Sequence, residues 1–269
     1  MNSLTLRWKA MSDGRTNLPL QRLSDSGVEI RKETVVEELA IHLTAINNNG
    51  NVYCHTTLLA TPIDLIELHM GHLYSEGYVH EVPSRNHFEH SFDKHHVVHY
   101  DSICTQPVRR GIVTSSCGAC NHPDLLVDGI FTDFDGHGQG NFSLEKIQTS
   151  LDELTQNMIL FKESGGCHGS ALRTQDGTVE FVAEDIGRHN AVDKTIGKAI
   201  CSSFDSFGDS MLLLSGRCGW DIVAKAVRTG IPAIASFGAF SSAAVLLARE
   251  HQITLYGFVS NKGAWKVGY

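Results

Sequence analysis

Positive charge is scarce in this 269-residue chain: 22 Lys and Arg stand against 30 Asp and Glu, for a formal net charge of −8. That balance excludes a nonspecific grip on nucleic acid or on an anionic membrane, so an anionic ligand has to be met by a few local cations. The opening MNSLTLRWKAMSDGR has no apolar core of the kind a secretory leader needs. One uncharged run, residues 231–248, is 18 residues long, but Pro232, Gly238, Ser236, Ser241 and Ser242 divide it into strand, loop and helix. Disulfide scaffolding is also absent. The seven cysteines are odd in number and scattered, which points to a reducing cytoplasm and free thiols. What is present, at 42% apolar residues, suffices for a full core in one large domain or two modest ones.

Residues 1–33 are polar and aperiodic and read as a flexible arm; the remainder, 34–269, reads as one domain of two lobes, about 34–142 and 143–269. VEELAIHLTAI alternates as a strand, NNNGN turns, and VYCHTTLLA returns to close a hairpin. Thr61 as N-cap and Pro62 at the first helical position open a helix that stops at Gly77. Residues 80–100 hold six of the 15 histidines. Their irregular spacing favours a solvated ribbon at a sheet edge over a metal store. DFDGHGQGN reads as a loop, because no apolar strand leads into it. Leu144, Ile147, Leu151, Leu154 and Met158 fall at helical spacing, predicting an amphipathic helix over 143–161. Strand and helix then alternate to the C-terminus, which implies a parallel or mixed α/β sheet.

Ligands of such sheets sit beyond the carboxyl ends of the strands. Four segments are placed to converge there: Ser164–Gly169, Glu184–Asn190, Ser215–Arg217 and Gly238–Ser242. Arg217 and Arg188 would offer planar, two-pronged contacts to phosphate or another oxyanion. Each loop taken alone is also ordinary turn chemistry.

Cys117-Gly-Ala-Cys120 is the one closely spaced cysteine pair. A structural zinc site needs about four ligands, and no second pair supplies them. Zinc deaminases set PCxxC after an HxE; here Ser116, not Pro, precedes Cys117. Gly118, Asn121 and Pro123 keep the segment loop-like, unlike a redox motif opening a helix. An exposed thiol on a loop suits a group carrier, since persulfide exchange follows the attack logic of disulfide exchange. Sulfur carriage, a redox dithiol, metal ligation and a plain loop all stay open on the residues alone.

SSCGAC, GGCHGSAL, EDIGRHNAVDK, SGR and TGIPAIAS together resemble the formate dehydrogenase accessory sulfurtransferases, the FdhD family, and TPIDLIELHMGHLYSEGYV resembles its N-terminal part. The resemblance runs over roughly residues 35–265. It implies a cytidine-deaminase-like α/β fold, a mixed sheet flanked by helices with an N-terminal hairpin and helix lobe, without zinc and usually dimeric. It further implies a cytoplasmic sulfur carrier that takes sulfane sulfur from a cysteine desulfurase. The acceptor would be the molybdenum of a bis(molybdopterin guanine dinucleotide) cofactor bound for formate dehydrogenase. Carried onto this chain, Cys117 matches the persulfide-bearing cysteine and Cys120 its companion, with Arg109 and Arg110 on the loop's N-terminal side to favour the thiolate. Phe258, Val259, Ser260, Asn261, Lys262 and Gly263 match the cofactor-binding stretch, and Arg217, Arg188, His189 and His168 join them as expected cofactor contacts. The chain departs from the family pattern at Asn121 and at Lys262, where Gly and Arg are common. Two other classes compete with the carrier: a chaperone that only holds the cofactor, and a zinc hydrolase.

Overall fold

In the computed structural model the described residues are 12–79, 81–91, 94–100, 109–113 (backbone alone) and 142–268. The fold is mixed α/β, with two mixed sheets flanked by helices. Residues expected to form an aperiodic arm instead make a two-stranded antiparallel ribbon, β1 (Arg15–Ser24) and β2 (Gly27–Val36), in register throughout. Its turn is only Asp25–Ser26, and Gly27 follows at φ 125°, which favours glycine. Too few apolar residues alternate here to predict strands from burial; backbone pairing makes them.

The expected hairpin is β3 (Leu39–Ile46) and β4 (Val52–Ala60). It lies inside a five-stranded sheet ordered β5-β6-β3-β4-β7, with β5 at Phe88–Ser91, β6 at His96–Tyr100 and β7 at Arg109–Val113. The histidine-rich stretch thus supplies an edge strand and its neighbour. His99, however, is fully buried against Phe88, not solvated.

The second sheet is ordered β13-β12-β11-β10-β8-β9. Its strands are β8 (His168–Arg173), β9 (Val179–Asp185), β10 (Met211–Leu214), β11 (Ala233–Ser236), β12 (Thr254–Ser260) and β13 (Gly263–Val267). Strands β10, β11 and β12 run parallel, as strand–helix alternation implies, while β8, β9 and β13 pair antiparallel. Alternation along β10 explains the two-sided core. Leu212 and Leu214 face the larger cluster with helices α4 (Arg188–Cys201), α5 (Trp220–Thr229) and α6 (Ser242–Glu250). Met211 and Leu213 face the smaller cluster under α2 (Leu144–Asn157).

Helix α1 (Leu65–Ser75) joins the two halves by packing on α4. The two helices touch backbone to backbone: a Cβ on Gly71 would lie 1.8 Å from the Asp193 carbonyl oxygen, and one on Gly197 would lie 1.9 Å from that of Glu67. Around the crossing, Lys225 Nζ sits 2.6 Å from both Asp193 and Glu76, and His72 Nδ1 is 3.2 Å from Asp193. Burial alone would raise the two carboxyls, but the Lys225 ammonium beside them holds both below the usual carboxylate range.

Two helix boundaries differ from those the sequence suggests. Helix α1 starts at Leu65 behind Asp64, because Thr61 is engaged elsewhere. Its N–H donates to Asp185 at 3.0 Å, its hydroxyl accepts from the Ile186 N–H at 3.1 Å, and its carbonyl accepts from Lys194 at 2.9 Å. The helix expected over 143–161 breaks at Met158 into α2 and α3 (Ile159–Ser164). Glu184 explains the break: its carboxylate accepts from the N–H groups of Leu160 and Phe161 at 2.9 and 2.8 Å, capping a new helix there.

Candidate functional site

The four Gly- and cation-bearing loops meet at one edge of the six-stranded sheet. Antiparallel pairing places the start of β8 beside the end of β10, so the Gly169 N–H donates to Ser215 Oγ at 2.8 Å and the Ser215 N–H to the Gly169 carbonyl at 3.0 Å. His168 in turn pairs with Asp185 at the end of β9. Neighbouring loops then interlock. Cys218 bridges to Phe240 and its N–H donates to the Ala239 carbonyl at 2.9 Å. The Phe258 N–H donates to the Gly238 carbonyl at 3.0 Å.

Glycines are required where these loops touch. A Cβ on Gly216 would lie 2.9 Å from His168 Nδ1, and one on Gly238 would lie 2.6 Å from the Gly216 carbonyl oxygen. The Ser236 hydroxyl, donating to the Gly216 carbonyl, ties the same junction together.

Beside this junction opens a cavity of about 570 Å³. Met158, Phe161 and Phe237 give it apolar walls; Gly166, Cys167, His168 and Ser215 give it a polar rim. His168 is half-buried, and its pKa is lowered by burial first and then by the guanidiniums of Arg188 and Arg217. It is therefore a neutral imidazole at neutral pH, able to donate from one nitrogen and accept at the other. Arg217 is exposed. Apolar walls, a neutral imidazole on the rim and two guanidiniums near enough to act on that imidazole suit a ligand that joins a planar ring to anionic groups, with Asp152 on the α2 side of the cavity.

The EDIGRHN segment divides its labour. Glu184 caps α3, and Asp185 accepts from Thr61, Gly187, Asn190 and Lys194, so both acids hold the frame. Arg188 approaches Asp221 at 3.8 Å, and His189 pairs with Asp221 more closely. His189 is buried, and desolvation carries its pKa down to about 4 despite that carboxylate. Its side chain is directed to Asp221, while Arg188 and Arg217 flank His168.

In the stretch matched to cofactor binding, Val259 is a core residue, whereas Phe258 is 50% exposed and packs edge-on to Phe240. Ser260, Asn261 and Lys262 form the exposed turn into Gly263 at the head of β13. Gln148 on α2 donates to the Ser260 carbonyl and anchors that turn beside the second core.

Cys117 and Cys120 lie outside the described residues, as do the DFDGHGQGN segment and the side chains of Arg109 and Arg110. The backbone of Arg109 and Arg110 belongs to β7, paired in parallel with Cys54 and His55, on the N-terminal side of the cysteine pair in the chain. Among the described residues no cluster of His, Cys, Asp or Glu could hold a metal ion, and no helix is long and apolar enough to cross a membrane. The other thiols of these motifs are poor nucleophiles. Burial and then the Glu184 carboxylate push Cys167 up to about 12, and burial pushes Cys218 up further.

Sequence reasoning did not find Asp221, which partners both Arg188 and His189, nor the cavity under α2. Both depend on approaches between residues far apart in the chain.

The chain is 34% identical to the sulfur carrier protein FdhD of Sulfurisphaera tokodaii over 75% of its own length and 77% of the relative's. It is 32% identical to the sulfur carrier protein FdhD of Streptomyces avermitilis over 88% of both chains. A solved structure from Desulfotalea psychrophila, of a protein assigned as a formate dehydrogenase accessory protein, superposes with a TM-score of 0.70. It covers 95% of this chain and 97% of its own at 20% identity, which speaks for the fold. The FdhD/NarQ family model matches residues 37–265, and the chain belongs to that family.

Proposed function

We propose that this protein is a cytoplasmic sulfur carrier serving formate dehydrogenase. The Cys117 thiolate attacks the outer sulfur of a persulfide on a cysteine desulfurase, and the donor cysteine leaves as a thiolate. Attack of the Cys120 thiolate on the inner sulfur of the Cys117 persulfide breaks its S–S bond and releases the outer sulfur as sulfide, leaving a Cys117–Cys120 disulfide that an external thiol reduces. The sulfide becomes a ligand of the molybdenum of a bis(molybdopterin guanine dinucleotide) cofactor, which is the substrate, before that cofactor enters the formate dehydrogenase catalytic subunit. The protein works as a homodimer.

Membership of a family whose relatives are sulfur carrier proteins supports this reading. The observation that carries it is that His168, on the rim of a largely apolar cavity, lies within electrostatic reach of Arg188 and Arg217. A molybdopterin guanine dinucleotide has planar rings for the Met158, Phe161 and Phe237 walls and phosphates for the two guanidiniums. Lys262 and the exposed face of Phe258 extend the same edge toward a second nucleotide arm. The high pKa of Cys167 and Cys218 leaves neither as the acceptor thiol at neutral pH. Incubation with a desulfurase and cysteine, followed by intact-mass measurement of wild type and Cys117→Ala, tests the assignment.

A further inference from the structure

The ribbon of β1 and β2 is exposed on both faces along nearly its whole length. Among the described residues it is held at its root: the Glu37 N–H donates to the Gly14 carbonyl, Arg15 pairs with Glu163 on α3, and Val36 packs against Gly166. Ten residue pairs in perfect register join its strands, yet a two-stranded ribbon in water is marginal without cover on a face.

One face of the ribbon is built to be covered. Residues opposite each other in an antiparallel pair share a face. The register therefore puts Leu23 with Val28, Gln21 with Ile30, and Pro19 with Lys32 on one side. Leu23, Val28 and Ile30 are 75%, 64% and 73% exposed and form a patch without charge at the outer end. The opposite face sets Arg22 against Glu29, Leu20 against Arg31 and Leu18 against Glu33, as a solvated surface would. Exposed apolar side chains gathered in one patch and bordered by polar residues mark an interaction surface.

We infer that the Leu23–Val28–Ile30 face of the ribbon docks on a second copy of this chain, each protomer laying its arm on the other. The area argument selects this occupant. Ten residues at about 3.4 Å each make an arm roughly 34 Å long, and a ribbon about 10 Å wide presents roughly 300 Å² per face. Laid on a partner's body, one arm buries about twice that, and two reciprocal arms bury on the order of 1,200 Å², above the roughly 1,000 Å² a specific interface needs. A one-way contact with some other protein would bury only about half as much. The helix against which β2 packs, α3, carries two more exposed apolar residues, Ile159 and Phe161. The arm's root touches Gly166 on the cavity rim through Val36, at the end of the ribbon opposite the apolar patch.

This inference rests on the homodimer named in the proposed function and locates its contact. Sedimentation equilibrium of the full-length protein, wild type against the double variant Leu23→Lys/Ile30→Lys, tests it. Both positions are exposed, so the variant keeps its fold, which circular dichroism checks. The expected result is a wild-type dimer whose dissociation constant rises at least tenfold in the variant. Hydrogen exchange provides a second reading: amides of residues 18–33 should be protected in wild type at high protein concentration and lose protection on dilution. A dimer equally tight in the variant would overturn the arm while leaving the dimer standing. Monomeric wild type would overturn both. Protection of 18–33 that ignores concentration would mean the arm is covered by its own chain, which also overturns the inference.

Discussion

The Lys194 ammonium lies 2.6 Å from the Asp185 carboxylate, and neither side chain has any exposed surface. Lys194 also donates to the Thr61 carbonyl at 2.9 Å, while Asp185 accepts from the N–H groups of Thr61 and Gly187. One ion pair thereby ties β9, α4 and the segment before α1 together beneath the candidate site. Removing one partner strands a buried charge, at a cost of about 3–5 kcal/mol. Lys194→Met should lower unfolding stability by that amount in urea titration, with sulfur loading retained by whatever fraction stays folded.

Arg217 is an exposed cation near enough to lower the pKa of His168 on the cavity rim. A two-pronged guanidinium contact to phosphate is a charge-assisted hydrogen bond worth about 1.5–3 kcal/mol. Arg217→Ala should weaken GDP, standing in for the cofactor's nucleotide arms, by about tenfold or more in calorimetric titration. Arg217→Lys should recover part of that, because a point charge cannot reproduce the fork. Equal affinity in all three proteins would make Ser215–Arg217 a turn only.

Buried imidazoles set the acid limit of stability. His69 is fully buried, neither ring nitrogen has a hydrogen-bond partner among the described residues, and burial, then His72, His99 and His96, hold its pKa well below 6.5. His189 is depressed to about 4 by desolvation. Below pH 6.5 the unfolded chain gains protons that these folded histidines refuse. Stability is therefore full above that pH and falls by about 1.4 kcal/mol per unit for each histidine as the pH drops. In His69→Leu, urea midpoints measured from pH 7 to 5 should fall less steeply than in wild type. Parallel slopes would contradict the assignment.

The Cys167 thiol, pushed up to about 12 by burial and by Glu184, should resist alkylation at pH 8. Glu184→Gln removes the carboxylate and should speed iodoacetamide labelling of Cys167, read by peptide mass mapping. Unchanged labelling would mean that burial alone protects the thiol.

Much of this was legible in sequence wherever a local rule sufficed. Gly230, in left-handed conformation at φ 75°, ends α5 where the sequence places a stop, and the long uncharged run splits into β11 and α6 as its proline and serines require. Glu184 and Asp185 fall in a segment that the sequence places at the ligand edge of the sheet, among Arg and His. Only tertiary contact shows that they are spent on α3, Thr61 and Lys194. Thr61 reads as a helix cap by pattern, yet its hydroxyl is taken by Ile186, 125 residues away. The ribbon escaped because it buries almost nothing within its own chain, which is the signal that periodicity detects. The candidate site was legible as loops; the cavity between them required the packing of α2 and α3.

Sulfur on Cys117 is the central claim, and intact-mass spectrometry after incubation with a desulfurase and cysteine tests it most directly. Wild type, Cys167→Ala and Cys218→Ala should each gain the mass of one sulfur atom, lost on treatment with reductant. Cys117→Ala should gain none. The same adduct on Cys117→Ala, or none on wild type, would contradict the account.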